Sequence, residues 1–152
     1  TTRIYLAVIG EMLYRFQESV VFVHGSPYSP NDANFALQTD NQSYRETGSS
    51  IRLLPGSQTP QAHPIEEASH ALATQVRPLL NKVEAECTNG AFAVLALDTL
   101  LTKAGDLKLI RIHTFPNFIT TGSIDADVHV PLFEDILRVM AGLSSRQLVT
   151  IT

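Results

Sequence analysis

A short turn between two apolar segments constrains the fold of this chain most. The turn is Lys103-Ala104-Gly105-Asp106, and it joins residues 91–102 to residues 107–113, which are both dominated by apolar side chains. A two-residue loop at Ala104-Gly105, in which glycine supplies a positive φ angle, predicts a β-hairpin. With this loop, residues that face each other have numbers that sum to about 209.

The predicted register places three ionisable side chains on one side of the hairpin. Asp98 faces Arg111 and Ala96 faces His113, and strand alternation puts Asp98, Arg111 and His113 on the same face. The other face is apolar, and we expect it to point into the core; its residues are Leu95, Leu97, Leu101, Ile110 and Ile112. Two interpretations stay open, which are an ordinary cross-strand ion pair and an anion site built from the three groups. A divalent cation is disfavoured, because one carboxylate beside a guanidinium offers too few oxygen ligands.

The remaining segments predict an α+β fold. Apolar alternation and turn signals predict further strands at 3–9, 12–16, 20–23 and 51–54. Helical spacing predicts helices that begin near Pro64 and Pro131, and Pro78 should kink or divide the first one. Residues 24–64 predict a long loop and a connector. We therefore expect a single domain over residues 1–152, with a mostly antiparallel sheet and two helices on one face.

Composition excludes several classes of function. The chain has 152 residues, of which 44% are hydrophobic and 17% charged, as expected for a globular protein. A net charge of -4 with scattered basic residues argues against nucleic acid as a partner. No apolar run approaches the ~20 residues that span a membrane. Cys87 is the single cysteine, so we expect no internal disulfide and an intracellular, reducing compartment, by default the cytoplasm.

Three segments together resemble the C-terminal half of the tubulin-tyrosine-ligase-like family, which has the ATP-grasp fold. They are Ala-Phe-Ala-Val-Leu-Ala-Leu-Asp-Thr-Leu-Leu at 91–101, Leu-Lys-Leu-Ile-Arg-Ile-His-Thr-Phe-Pro-Asn-Phe at 107–118, and Pro-Leu-Phe-Glu-Asp-Ile-Leu at 131–137. The family pattern reads Phe-Gly-Phe-Asp-Val-Leu, then Leu-Lys-x-Trp-Leu-Ile-Glu-Val-Asn-x-x-Pro, then a closing helix. The spacing from Asp98 to Arg111 equals that between the family's Asp and Glu. Weaker matches extend back to Arg3.

The resemblance implies roles for particular positions. In the family, the Asp, Glu and Asn of the two closing strands hold magnesium and ATP phosphates, and the Arg of the first strand contacts the nucleotide. Asp98 and Arg3 keep two of these residues, whereas Arg111 replaces the Glu and His113 replaces the Asn. Asn41 is the surviving part of a His-Leu-Thr-Asn motif. A further basic position of the family is occupied here by Phe22.

The exchange of Glu for Arg111 reverses the charge at the metal position. A guanidinium there repels a divalent cation, so we expect Arg111 to pair with Asp98 instead. Asp98, Arg111 and His113 are then relic positions without a catalytic role. We expect no metal, with Asp98 as a ligand if there is one, and no cofactor.

Three functions follow from the resemblance. The first is a non-catalytic domain that serves as a structural or protein-interaction module, whose partner is another protein or the missing rest of the same fold. The second is a divergent ATP-dependent amino-acid ligase acting on a protein, which would require ATP and magnesium. The third is a nucleotide-binding module without turnover, in which Arg3, Arg111 and His113 hold phosphate directly without metal. The nucleotide-binding candidates are Arg3, Asn41 and Arg111.

Other reactive side chains give weaker signals. The spacing of His63, His70 and the remaining histidines does not predict a zinc site. Cys87 ends an amphipathic segment and is predicted to be packing rather than a nucleophile. Asp125, Asp127 and His129 alternate like a metal-binding edge, but we interpret them as solvated residues that lead into the closing helix.

Overall fold

The computed structural model describes residues 1–24, 31, 51–88, 90–118 and 123–152. Within these ranges six strands form one sheet, and every strand pairing is antiparallel. The strands are β1 (Thr2–Ile9), β2 (Met12–Val23), β3 (Arg52–Pro55), β4 (Phe92–Leu101), β5 (Leu107–His113) and β6 (Leu148–Thr150). Their order is β3-β2-β1-β4-β5, and β6 pairs with β2 beside β3.

Helical segments lie in the connection from β3 to β4 and in the connection from β5 to β6. Their bounds are α1 (Ala62–Val76), a 3₁₀ turn (Arg77–Leu80), α2 (Asn81–Glu86), a π-helical turn (Asp125–His129) and α3 (Val130–Met140). Pro78 lies in the 3₁₀ turn, where its missing N–H interrupts the helical hydrogen bonding, so the predicted division is confirmed. No helix within the described ranges has the length and apolar content that crossing a bilayer requires.

The two helical layers cover opposite faces of the sheet. Ile4 and Leu6 of β1 belong to the cluster that packs under α1, whereas Tyr5 and Ala7 belong to the cluster under the π-helical turn and α3. The α+β class with an antiparallel sheet and two helices is confirmed. The expectation that both helices pack on one face is wrong, because the central strands are apolar on both sides and need cover on both.

Strand β2 is continuous, although its sequence predicts two strands separated by polar residues. The pairing of β1 with β2 changes register, because Ile4 faces Ser19 whereas Leu6 faces Arg15. Two extra residues of β2 are thus accommodated in an irregularity, where the Gln17 N–H donates to the Gln147 carbonyl at 2.9 Å. The polar segment therefore bends the strand without ending it.

The hairpin turn also differs from its predicted form. The Thr102 N–H donates to the Asp106 carbonyl at 2.8 Å, and the Gly105 N–H donates to the Thr102 carbonyl at 3.1 Å. Gly105 has a φ angle of 91°. The loop therefore has three residues and ends in a left-handed glycine, which shifts the adjoining pairs by one residue relative to the prediction.

A bulge at Ile110 cancels that shift farther along the hairpin. Leu109 faces Thr99, but Arg111 faces Asp98, so one residue of β5 is extra between these pairs. The predicted pairing of Asp98 with Arg111 is correct for this reason. The bulge also turns Ile110 away from the core, where it was predicted to lie, and leaves it 60% exposed.

Candidate functional site

A bidentate ion pair joins the two central strands at the end of the sheet where β1 begins. Arg3 of β1 faces Asp98 of β4 directly in the strand register. Arg3 Nε donates to Asp98 Oδ1 at 2.7 Å and Arg3 Nη2 donates to Asp98 Oδ2 at 3.0 Å. The side chains are only 11% and 20% exposed. Paired N–H donors in this fork geometry are among the strongest contacts of a carboxylate.

His113 of β5 completes a triad with this pair. His113 Nε2 lies 2.7 Å from Asp98 Oδ2, so both carboxylate oxygens are engaged by side chains. Burial alone would raise the pKa of Asp98, but the hydrogen bonds and charges of Arg3 and His113 outweigh burial and lower it. The triad is therefore built to keep the Asp98 carboxylate ionised.

Arg111 does not form the ion pair that its sequence position predicts. It faces Asp98 in the register, yet its side chain is exposed, and the described part of the structure gives it no hydrogen bond or ion pair. Arg3 approaches Asp98 from the other neighbouring strand and takes both oxygens. The expectation that Arg111 pairs with Asp98 is therefore wrong, because Arg3 is the arginine that forms the ion pair.

The guanidinium of Arg3 is also held on its other sides. Arg3 Cζ lies 5.8 Å from the centre of the Phe22 ring, and Arg3 Nη1 donates to the Asn117 carbonyl at 3.4 Å. An aromatic face near a guanidinium adds a favourable cation–π contact. Phe22 thus stabilises Arg3 at the place where the family resemblance puts a basic residue.

A second polar cluster lies on the same face, between β1 and the π-helical turn. His129 is 4% exposed, and its Nε2 lies 3.0 Å from the Tyr5 hydroxyl while its Nδ1 lies 2.8 Å from Asp125 Oδ1. The ring of Phe118 packs against both Tyr5 and His129. The interpretation of His129 as solvated is therefore wrong. The four-residue spacing from Asp125 to His129 on a helical turn is the signal that would have indicated their contact.

The remaining candidate residues do not join these clusters. Cys87 is 5% exposed and lies in the core under α1, so its predicted packing role is confirmed. Burial, and secondarily Glu86, raises the pKa of its thiol, which disfavours the nucleophilic thiolate. His63 contacts Glu67 on the exposed side of α1. Asn41 lies outside the described residues.

The geometry at Asp98 does not fit a magnesium–nucleotide site. Magnesium requires oxygen ligands, and both oxygens of Asp98 already accept hydrogen bonds from Arg3 or contact His113. The described residues contain no group of three or more His, Cys, Asp or Glu side chains arranged to hold a metal ion. The triad of Arg3, Asp98 and His113 links the side chains of β1, β4 and β5, and it places charged groups at this end of the sheet.

Comparison with known proteins establishes the fold. No family model and no curated protein matches the sequence. Among solved structures, the chain is similar to the C-terminal domain from K. lactis Pby1, an ATP-grasp enzyme interacting with the mRNA decapping enzyme Dcp2. The TM-score is 0.67 at 14% sequence identity, and the alignment covers 99% of this chain and 46% of that one. The chain therefore has an ATP-grasp-like fold and spans about half the length of that solved chain.

Proposed function

We propose that this chain is a non-catalytic, tubulin-tyrosine-ligase-like unit that serves as a structural or protein-interaction module in a larger protein or assembly. The observation that carries the proposal is the engagement of both Asp98 oxygens by Arg3 and His113. Catalytic phosphoryl chemistry needs carboxylates that are free to bind magnesium. The chain retains one such carboxylate, Asp98, and this carboxylate contacts the side chains of Arg3 and His113.

The charge at the neighbouring position supports the same function. Arg111 stands where the resemblance requires a glutamate, so the triad region carries two guanidinium groups around one carboxylate. The resulting positive charge opposes a divalent cation. The guanidinium groups of Arg3 and Arg111 favour binding of a simple anion over binding of a metal–nucleotide complex. Arg3, however, already forms an ion pair with Asp98.

The solved neighbour supports an interaction role by analogy. That neighbour is an enzyme that interacts with another protein, so an interaction role is compatible with this fold. The neighbour is also an ATP-grasp enzyme, which keeps a divergent ATP-dependent ligase as the alternative to be tested.

Titration calorimetry of the intact protein that contains this chain tests the proposal. The native protein, an Arg111→Glu variant and a Lys103→Glu control are each titrated with ATP in the presence and absence of magnesium. Lys103 lies in the exposed hairpin turn, so its variant reproduces the charge change away from Asp98. We expect no magnesium-dependent binding by the native protein or by the control.

The outcomes separate the alternatives. Magnesium-dependent ATP binding by the native protein would overturn the proposal and favour the ligase. Binding of ATP without magnesium would instead favour the nucleotide-binding module without turnover. Binding that appears in Arg111→Glu alone supports the proposal and locates the loss of the metal site at this residue.

A further inference from the structure

The outer edge of β5 pairs with no other strand in the part of the chain that the structure describes. β5 is the last strand of the sheet on its side. The strand has seven residues, which is long enough to accept a partner strand. Large apolar side chains are exposed around it, with Ile110 60%, Leu100 51% and Phe115 93% exposed. Charged side chains such as Lys108 and a bulge such as that at Ile110 discourage nonspecific pairing at a sheet edge, so a partner strand has to match them.

A groove runs beside this edge, between α1 and the hairpin. Its part near the start of β5 has a volume of about 160 Å³ and its part near the turn a volume of about 490 Å³. Ala68, Ala71 and Asp106 line both parts. The small alanine side chains leave space there, and Leu72 and Leu107 line the part near the start of β5 beside the polar Gln75. A strand added to β5 would direct every second side chain into this space.

The opposite side of the same edge is basic. Lys108 faces Leu100 and Arg111 faces Asp98, so both cations lie on the face of the hairpin that is turned away from α1. Both are exposed, and Asp98 is neutralised by Arg3. The chain as a whole has a net charge of -4, so this strand is locally opposite in sign to the protein. Cations at this spacing favour carboxylates on an incoming strand.

From these features we propose that β5 accepts an extended segment of a partner protein in which apolar residues alternate with Asp or Glu. The apolar side chains would enter the groove beside Ala68 and Ala71, and the carboxylates would meet Lys108 and Arg111. This inference rests on the interaction role proposed above and assigns that role to the outer edge of β5. A second copy of this chain fits poorly, because antiparallel pairing of two β5 edges about their centre brings Lys108 of each copy near Arg111 of the other.

Peptide binding to the intact protein tests the proposal. The probes are an acetylated heptapeptide of alternating Glu and Val and a matched peptide with Lys in place of Glu, and affinity is measured by fluorescence anisotropy. We expect the acidic peptide to bind at least about tenfold more tightly, with an affinity that falls as salt rises. Lys108→Glu/Arg111→Glu should remove this preference, and Ala71→Trp should weaken binding by filling the groove.

Lys82→Glu/Arg146→Glu is the matched control, because it makes the same charge change at exposed positions away from β5. The proposal is overturned if neither peptide binds, if both bind equally, or if the control loses binding as fully as the β5 variant. A concentration-dependent dimer that Lys108→Glu/Arg111→Glu strengthens would identify a second copy as the occupant and would also overturn it. Magnesium-dependent ATP binding would contradict the proposed function but would leave peptide binding at β5 unchanged. The failure of the proposed function can therefore be distinguished from the failure of this inference.

Discussion

Asp98 and Asp135 are both carboxylates with lowered pKa values, but different kinds of donor hold them. Asp98 depends on the side chains of Arg3 and His113, which come from the two neighbouring strands. Asp135 of α3 is 2% exposed and accepts hydrogen bonds from the segment that enters β6. Its donors are Ser145 Oγ and the backbone N–H groups of Arg146, Gln147 and Leu148, at 2.6 to 3.0 Å.

The difference separates a structural carboxylate from one whose chemistry can change. Three of the residues that donate to Asp135 do so through backbone N–H groups, which persist whatever side chains residues 146–148 carry, whereas Ser145 donates through its side chain. The environment of Asp98, in contrast, is set by side chains that single substitutions replace. Substitutions can therefore change the contacts of Asp98 without disturbing the anchor between α3 and β6.

The largest effect is expected at Asp135. Asp135→Ala leaves buried N–H groups without acceptors, so we expect the free energy of unfolding to fall by about 3 kcal/mol in urea denaturation. Glu134→Ala on the exposed side of the same helix is the control and should change it by less than about 0.5 kcal/mol. A small effect at Asp135 would mean that the backbone donors find other acceptors.

A smaller effect is expected at Asp98. Asp98→Ala leaves the guanidinium of Arg3 without its carboxylate and should lower the free energy of unfolding by about 2 kcal/mol, because the pair is partly exposed. Combined with Arg3→Ala and the double variant, the measurement forms a double-mutant cycle. A coupling energy near zero would contradict the bidentate pair.

His113 should contribute least among the partners of Asp98. His113→Gln removes one contact to Oδ2, while Arg3 still donates to both oxygens, so we expect a loss of about 0.5 kcal/mol. Urea denaturation measures the loss, and Arg111→Gln on the same strand is the control. A loss at His113 as large as that at Asp98 would assign the main role to the histidine.

The smallest effect is expected in the dependence of folding stability on pH below about pH 4, to which both Asp98 and Asp135 contribute. Their folded pKa values are lowered from the ordinary 3.8, so each contributes stability that is present above about pH 4 and lost as pH falls through the folded pKa. We expect the stability of the native protein to decline below that pH, and Asp135→Asn and Asp98→Asn each to flatten the decline. High salt should reduce the Asp98 contribution more, since its partner is a charged side chain.

Local sequence patterns predicted the strands and helices well, because those patterns depend on alternation, helical spacing and proline. β1, β4 and β5 lie where apolar alternation placed them, and Pro78 divides the helical segment. The candidate site was predicted only in part. Asp98, Arg3 and His113 were identified as residues of one site, but Arg111 was chosen as the partner of Asp98, since a hairpin register contains no information about the strand on its other side.

The sequence by itself determined the α+β class and the hairpin, because both are encoded in residues close together in the chain. The tertiary structure alone decided that Arg3 takes Asp98, that His129 is buried against Tyr5, and that the helices cover opposite faces. These contacts join residues about one hundred positions apart, so they depend on strand order and on where the helical segments pack. Such long-range pairings follow from how the whole chain packs its apolar surface, which no local pattern specifies.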